Sequence, residues 1–456
     1  MKTRLLFSTL MTVITAITGV NAVADQSAPK ANPNTFVHLF EWRWEDIAAE
    51  CRDHLPGLGY DAIQVSPAIE HIDHPSWWAR YQPVDFSKFE SFSGGEEALR
   101  SMIETCHAAG IKVYADAVIN HTADYGEQGV GTAGTPWEIM QHPGLDESHY
   151  HHPICTIEDY SNADEVQNCR LGALPDLNTS DSYVRELLAA YLRKLSELGF
   201  DGMRIDAAKH MSAADVAAIL ELAGGPNVFL EVIGDPSAET ALQPSTYAAI
   251  APVTDFATRG AIYSAINGDL SDLASYWRGE SDLSADMAVT FVDNHDTERH
   301  TQPLSIAQKQ LGEALLLTLG YGYPKVLSGY QFENRDALPS QAQVSCEQGW
   351  TCWHRDPIVS QFVQLRRAAG GAQPEQLEYL DDQVLAFSYG PGRVLVNVSN
   401  ETKSVSWDPQ LSGSEYCDLL AGHGSVVELG WWGDVDISLP PHGLVLLRED
   451  AVCSAP

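Results

Sequence analysis

The sequence predicts a (β/α)8 barrel, interrupted by one long insertion and followed by an antiparallel β-sandwich. Three observations carry this. Eight short apolar runs with strand character alternate with helical stretches along most of the chain. The rhythm breaks over residues 122–177, which are rich in Gly, Pro and His. Beyond about residue 371 the helices stop and strand-like runs between turns take over. On pattern alone, a doubly wound open sheet is the alternative.

The elements are justified in chain order. Residues 1–24 have the outline of a signal peptide. Lys2 and Arg4 make a basic start, Leu5 to Val20 an apolar run, and Ala22-Val23-Ala24 a small-residue cleavage site. A membrane anchor is the rival reading, but the run is short and threaded with Ser and Thr. No later stretch is long and apolar enough to span a bilayer. The barrel strands are expected at Thr35–Phe40, Ala62–Ser66, Lys112–Ile119, Gly202–Asp206, Val228–Val232, Val253–Phe256, Ala288–Val292 and Lys325–Ser328. Between them come helical stretches such as Trp44–His54, Glu96–Ala109, Ser182–Leu198, Ser212–Leu222, Ile306–Leu319 and Ile358–Ala368. The barrel would therefore occupy residues 25–121 and 178–370, with an inserted domain at 122–177. A loop that long inside a compact domain is usually functional or a small domain in its own right. Residues 371–456 would form the sandwich, with strands at Val384–Tyr389, Arg393–Val398, Val426–Leu429 and Gly443–Leu447.

Composition narrows the setting. The 456 residues are 44% apolar and 20% charged, enough for a large core. The formal charge of −35 becomes −37 once residues 1–24, with two bases and no acids, are removed. Such a surface disfavours nucleic acid and anionic membranes as partners and suits a neutral substrate. Eight cysteines fit an exported chain, although their order alone leaves the pairing open, and no C-x-x-C pair points to zinc.

The chemistry centres on Gly202-Met203-Arg204-Ile205-Asp206-Ala207. Residues i and i+2 of a strand share a face, so Arg204 and Asp206 would point to one side together. An arginine beside a carboxylate favours its ionised form, which suits a nucleophile. Asp116, Glu231 and Asp296 stand at the ends of three further strand regions, where a barrel collects its functional groups at one mouth. Clustered carboxylates are what glycosidic cleavage needs, one to attack the anomeric carbon and one to protonate the leaving oxygen. Taken singly, each would more often be structural.

These residues resemble the alpha-amylase family. Asp116–His121, Gly202–His210, Glu231 and Asp293–Asp296 match four of its short motifs in order, and the resemblance covers essentially the whole mature chain. It implies Asp206 as nucleophile, Glu231 as general acid/base and Asp296 as stabiliser of the distorted sugar. Asp116, His121, Arg204 and His295 would bind the reacting ring, with Lys209 and His210 on the leaving-group side. Trp77, Trp78, Tyr81 and Gln82 would form the sugar platform, since flat rings cover the apolar faces of pyranoses. The animal-type, chloride-dependent subgroup implies a chloride between Arg204, Asn294 and Lys325. Calcium would be held by Asn120, Gln167, Asp176 and His210, with backbone oxygens from Gln167 and His210. The pairs Cys51–Cys106, Cys155–Cys169, Cys346–Cys352 and Cys417–Cys453 are likewise implied by the resemblance.

Two departures concern the rim. After Asp296 the chain reads Thr297-Glu298-Arg299-His300, without the glycine-rich loop many animal-type members carry, and the segment from Tyr330 to Cys346 is short. The run His149-Tyr150-His151-His152 reads as a solvated loop. The activity expected is therefore a secreted, retaining endo-hydrolysis of α-1,4-glucosidic bonds in starch, glycogen and malto-oligosaccharides, by a monomer. A transglycosylase or maltogenic exo-enzyme on the same scaffold, and a non-catalytic glucan-binding protein, are the alternatives.

Overall fold

The computed structural model describes residues 34–340, 343–421 and 425–449. The expected signal peptide and Cys453 lie outside the described residues. Eight parallel strands close into a barrel: β1 (Phe36–Leu39), β2 (Ala62–Val65), β3 (Lys112–Ala117), β4 (Gly202–Ile205), β5 (Val228–Leu230), β6 (Val253–Thr254), β7 (Ala288–Thr290) and β8 (Tyr323–Ser328). Each strand pairs with its sequence neighbours, and β8 returns to β1 with Phe36 opposite Lys325. This rules out the open doubly wound sheet, which has free edges.

The two-residue period sorts side chains by depth as well as by face. Met203 and Ile205 point outward into the apolar layer beneath the helices. Inside, the lower barrel is plugged by Phe36, Ala62, Tyr114, Phe229 and Val289. Two residues further along four of these strands come His38, Gln64, Asp116 and Glu231, so those strands go from apolar to polar as they climb. Gly202 is required at the bottom of β4, because a Cβ there would lie 2.3 Å from the Tyr114 ring. The same strand can then place Arg204 and Asp206 above that ring.

The helices match expectation to within a residue or so, for example Ser182–Leu198. Asp181 caps its N-terminus by accepting from the Tyr183 and Val184 amides, and Gly199 ends it in a left-handed turn at φ +110°. Residues 122–177 hold a short hairpin (Gln128–Val130 with Pro136–Glu138) and the helix Ala163–Asn168. The Cys155–Cys169 disulfide crosses this segment, Cys51–Cys106 joins two barrel helices, and Cys346–Cys352 closes a rim loop. These three pairs are as the resemblance implies.

The C-terminal region is antiparallel. A four-stranded sheet runs Glu375–Asp381, Val384–Tyr389, Gly392–Asn397, Leu444–Arg448, and two-stranded ribbons (Lys403–Trp407 with Val435–Leu439, Glu415–Cys417 with Val426–Glu428) lie over it. Val384, Ala386, Leu395, Val445 and Leu447 from the sheet meet Trp407, Tyr416 and Leu439 from the ribbons in one core. The other face of the sheet, with Leu385, Phe387, Val394 and Leu446, joins the main core of the barrel. Among the described residues no helix is long and apolar enough to cross a membrane.

Candidate active site

Arg204 organises the site. Its Nη1 donates to Asp116 Oδ1 at 2.5 Å and to Asp206 Oδ1 at 2.9 Å, while Nη2 pairs closely with Glu231. The barrel register explains the convergence. Asp116 sits opposite Arg204 on β3, and Asp206 and Glu231 are each the first residue past the end of neighbouring strands. Their amides still continue the ladder, Asp206 to the Ala117 carbonyl and Glu231 to that of Ile205, both at 3.0 Å. The chain then turns sharply at Ala207, which has φ +49° and sends its amide to Glu231 Oε2 at 3.0 Å.

Burial pushes up the pKa of all four carboxyls of this cluster, but their neighbours separate them. Asp206 goes well up, since burial, reinforced by the nearby Glu231 and Asp116 carboxyls, outweighs Arg204. Asp116 also rises, and Asp296 is pushed up to about 6 by burial and by Glu231. Glu231 alone ends below the ordinary carboxylate value, because Arg204, the Ala207 amide and Lys325 outweigh its burial.

Above this floor opens a cleft of about 400 Å³. Ten of the residues expected in the site line it: Trp77, Trp78, Tyr81, His121, Asp206, Lys209, His210, Glu231, His295 and Asp296. Tyr81 stacks on His295 (5.2 Å between centroids, 7° between planes) and donates its hydroxyl to Asp116 Oδ2 at 3.0 Å. His121 Nε2 lies 2.8 Å from the Tyr81 carbonyl, and His295 Nε2 lies 3.4 Å from Asp296 Oδ2. Trp77 is fixed by its indole donating to the Arg335 carbonyl at 2.8 Å, so the short rim segment after Tyr330 braces the platform. Lys209 reaches the Ile233 carbonyl at the cleft edge.

Three expected contacts sit elsewhere. Asp116 and Arg204 lie under the floor and act on the cleft through Tyr81, Asp206 and Glu231. Gln82 does not line the cleft: its side-chain Oε1 accepts from the Asp124 and Tyr125 amides, pinning the start of the inserted segment.

The alpha-amylase catalytic-domain family matches residues 49–219. An alpha-amylase of Streptomyces violaceus is 37% identical over 89% of this chain and 72% of its own length, and one of Aeromonas hydrophila 36% identical over 86% and 90%. The chain belongs to the alpha-amylase family. It is a glycoside hydrolase by that membership. Among solved structures, wild-type alpha-amylase I of Eisenia fetida superposes with a TM-score of 0.84 at 28% identity, covering 92% of this chain and 98% of that one. A variant of that enzyme was solved in complex with maltohexaose.

Two features bear on the ions that the sequence resemblance implies. Lys325 is buried on β8, its Nζ over the Phe229 and Phe291 rings at 5.3 and 5.9 Å and donating to Gln64 Oε1 at 2.8 Å. Burial, and then Arg204, bring its pKa down to about 7. Two cations confined so closely are a setting that fits an anion. Asn294, the third expected ligand, uses Oδ1 to hold the Asp296 and Thr297 amides. Where the sequence leads one to expect calcium, Asn120 Oδ1 is buried and unpartnered, and burial pushes Asp176 up to about 6. An orphaned amide oxygen beside a buried carboxyl fits a hard cation. Among the described residues no three His, Cys, Asp or Glu side chains form a metal-like group. Gln167 and His210 turn their side chains elsewhere, to the Tyr247 hydroxyl and the Val166 carbonyl.

Several participants lacked a sequence signal. Tyr160, Leu171, Leu174 and Ile233 complete the cleft from the inserted segment and the loop after β5. His151 belongs to no solvated loop; its Nδ1 lies 2.6 Å from Asp176. Gln64 links Lys325 to Asp116, and a polar residue inside the apolar run Ala62–Val65 was the available clue.

Proposed function

We propose that this chain is a secreted, calcium-containing, chloride-activated alpha-amylase that cleaves internal α-1,4-glucosidic bonds of starch, glycogen and malto-oligosaccharides with retention of configuration. The observation that carries the reading is the convergence of Asp206 and Glu231 on one guanidinium, at the floor of an aromatic cleft that also receives Asp296. In this reading residues 25–121 and 178–370 are the catalytic barrel, 122–177 an inserted domain and 371–456 a C-terminal one.

In the first step Asp206 attacks the anomeric carbon while Glu231 gives its proton to the departing glycosidic oxygen, leaving a glycosyl ester on Asp206. Glu231 then takes a proton from water, whose oxygen attacks the same carbon and frees Asp206. Asp296, with His295 and His121, would hold the ring in its distorted form, and Trp77, Trp78 and Tyr81 would carry neighbouring sugars. Hydrogen bonds from Arg204 suit the Asp206 carboxylate that must be released in the second step.

The free-site electrostatics run against the first step, because Arg204 and Lys325 favour an ionised Glu231. Chloride bound between Arg204, Asn294 and Lys325 would offset that positive charge and let Glu231 keep its proton. Calcium on Asn120, Asp176 and the Gln167 and His210 carbonyls would tie the inserted segment to the barrel. The test is reducing-sugar release from soluble starch at constant calcium, with chloride dialysed out and then restored. Activity rising with chloride is expected. Chloride-indifferent activity would discard the anion site, and no release would discard the hydrolase reading.

A further inference from the structure

Trp431 and Trp432 are 93% and 85% exposed, whereas every other tryptophan of the chain is buried or half-buried. They occupy the tip between Val426–Glu428 and Val435–Leu439 in the C-terminal domain. The tip is a closed turn. The Gly430 amide donates to the Asp434 carbonyl at 2.6 Å, the Gly433 amide to that of Gly430 at 3.0 Å, and Gly433 adopts φ +88°. On either side Leu429 and Val435 are packed into the domain core. The two indoles are therefore held out by a short, anchored turn with no core within reach. Leaving an indole in water forgoes the free energy of burying it, so fold stability does not account for two in succession.

The surroundings select the occupant. Asp408, Glu428, Asp434 and Asp436 are exposed close by in sequence or across the ribbon, and the chain carries a formal charge of −35. Nucleic acid and anionic lipid are repelled by such a surface. A neutral ligand with flat apolar faces and many hydroxyls is suited to it. Its ring faces lie on indole, and its hydroxyls donate to carboxylates. We infer that Trp431 and Trp432 form an auxiliary docking platform for polymeric α-glucan, separate from the cleft. This rests on the glucan-hydrolase reading above for the identity of the ligand.

The experiment uses the full mature chain in an Asp206→Asn background, so that granules are not digested, and compares Trp431→Ala/Trp432→Ala with the parent. Adsorption to insoluble starch granules and retardation in amylose-containing native gels should weaken by about tenfold or more. Trp431→Phe/Trp432→Phe should retain most of it. In the active background the alanine pair should leave kcat/KM on maltoheptaose within about twofold. Unchanged adsorption overturns the platform. So does a loss of self-association in sedimentation with adsorption unchanged, which would make the patch an interface between copies. A parent that binds amylose through these tryptophans but never cleaves maltoheptaose would keep the platform and remove the hydrolase reading.

Discussion

The Ala207 amide points at Glu231 Oε2 from a left-handed backbone, φ +49°, at a distance of 3.0 Å. An alanine in that region carries strain that glycine would not. The turn is what brings a main-chain donor onto the proposed acid/base immediately after the proposed nucleophile. Ala207→Gly should preserve both the turn and the amide, leaving kcat within a few-fold and Tm unchanged or higher. Ala207→Val, β-branched at positive φ, should cost about 1–3 kcal/mol and lower kcat well beyond that seen for glycine. Equal kcat values for the two variants would show that the turn does not set the Glu231 geometry.

Asp206 and Glu231 share Arg204 but are assigned different work, and their amide variants should separate the two roles. Glu231→Gln should lower kcat by roughly 10²–10⁴-fold with the loss smallest on substrates whose leaving group needs no proton, such as activated aryl maltosides. Asp206→Asn should be at least as damaging, and equally so on both kinds of substrate, because no glycosyl ester can form. Both should still bind malto-oligosaccharide. A rescue of Asp206→Asn by the activated leaving group would reverse the assignment.

How much of this was legible beforehand depends on the range of the interaction involved. The strand pattern at Gly202–Ile205 revealed which way Arg204 and Asp206 would point, because alternation is local. The eight strands were found within a few residues of their ends for the same reason. Gln82 was misplaced because its partners, the Asp124 and Tyr125 amides, are brought to it only when the inserted segment folds back. His151 looked like part of a solvated loop, since nothing near it in sequence announces Asp176 twenty-five residues away. In the C-terminal domain, Lys403–Trp407 and Val435–Leu439 were overlooked because their alternation is half polar and short; they become strands by pairing with each other.

Lys325 gives a pH signature. Burial and the nearby Arg204 lower its pKa from an ordinary 10.5 to about 7. Between those values the unfolded chain binds the proton and the folded chain releases it, so without chloride stability should rise with pH from about 7 to 10.5 on this account. Below pH 7 both states are protonated and the burden on the fold is constant. Bound chloride would favour the protonated folded form and flatten the slope. Lys325→Gln should remove the slope, the chloride-induced gain in unfolding free energy and most of the chloride dependence of kcat. Urea unfolding across this pH range, with and without chloride, measures all but the last. A variant with the parental slope would exclude Lys325 as its source.

Asn120 and Asp176 make a prediction about calcium that needs no activity assay. With Asn120 Oδ1 buried without a partner, and Asp176 pushed up to about 6 by burial, the pair is a weak point that a cation would relieve. Calcium at a hundredfold excess over its Kd should add about 2.7 kcal/mol to unfolding free energy, and a chelator should take it away. Protons compete for the same carboxylate, so affinity should fall as pH drops through about 6. Asn120→Ala should erase the calcium-dependent part of Tm and lower the chelated Tm only by what its Nδ2 contributes through His121 Nδ1 and Asp176, since the side-chain oxygen has no partner in the protein. Calorimetric titration of the chelated protein is the direct measurement. Undiminished calcium binding by Asn120→Ala, with the same pH profile, would move the site away from the junction of barrel and insertion.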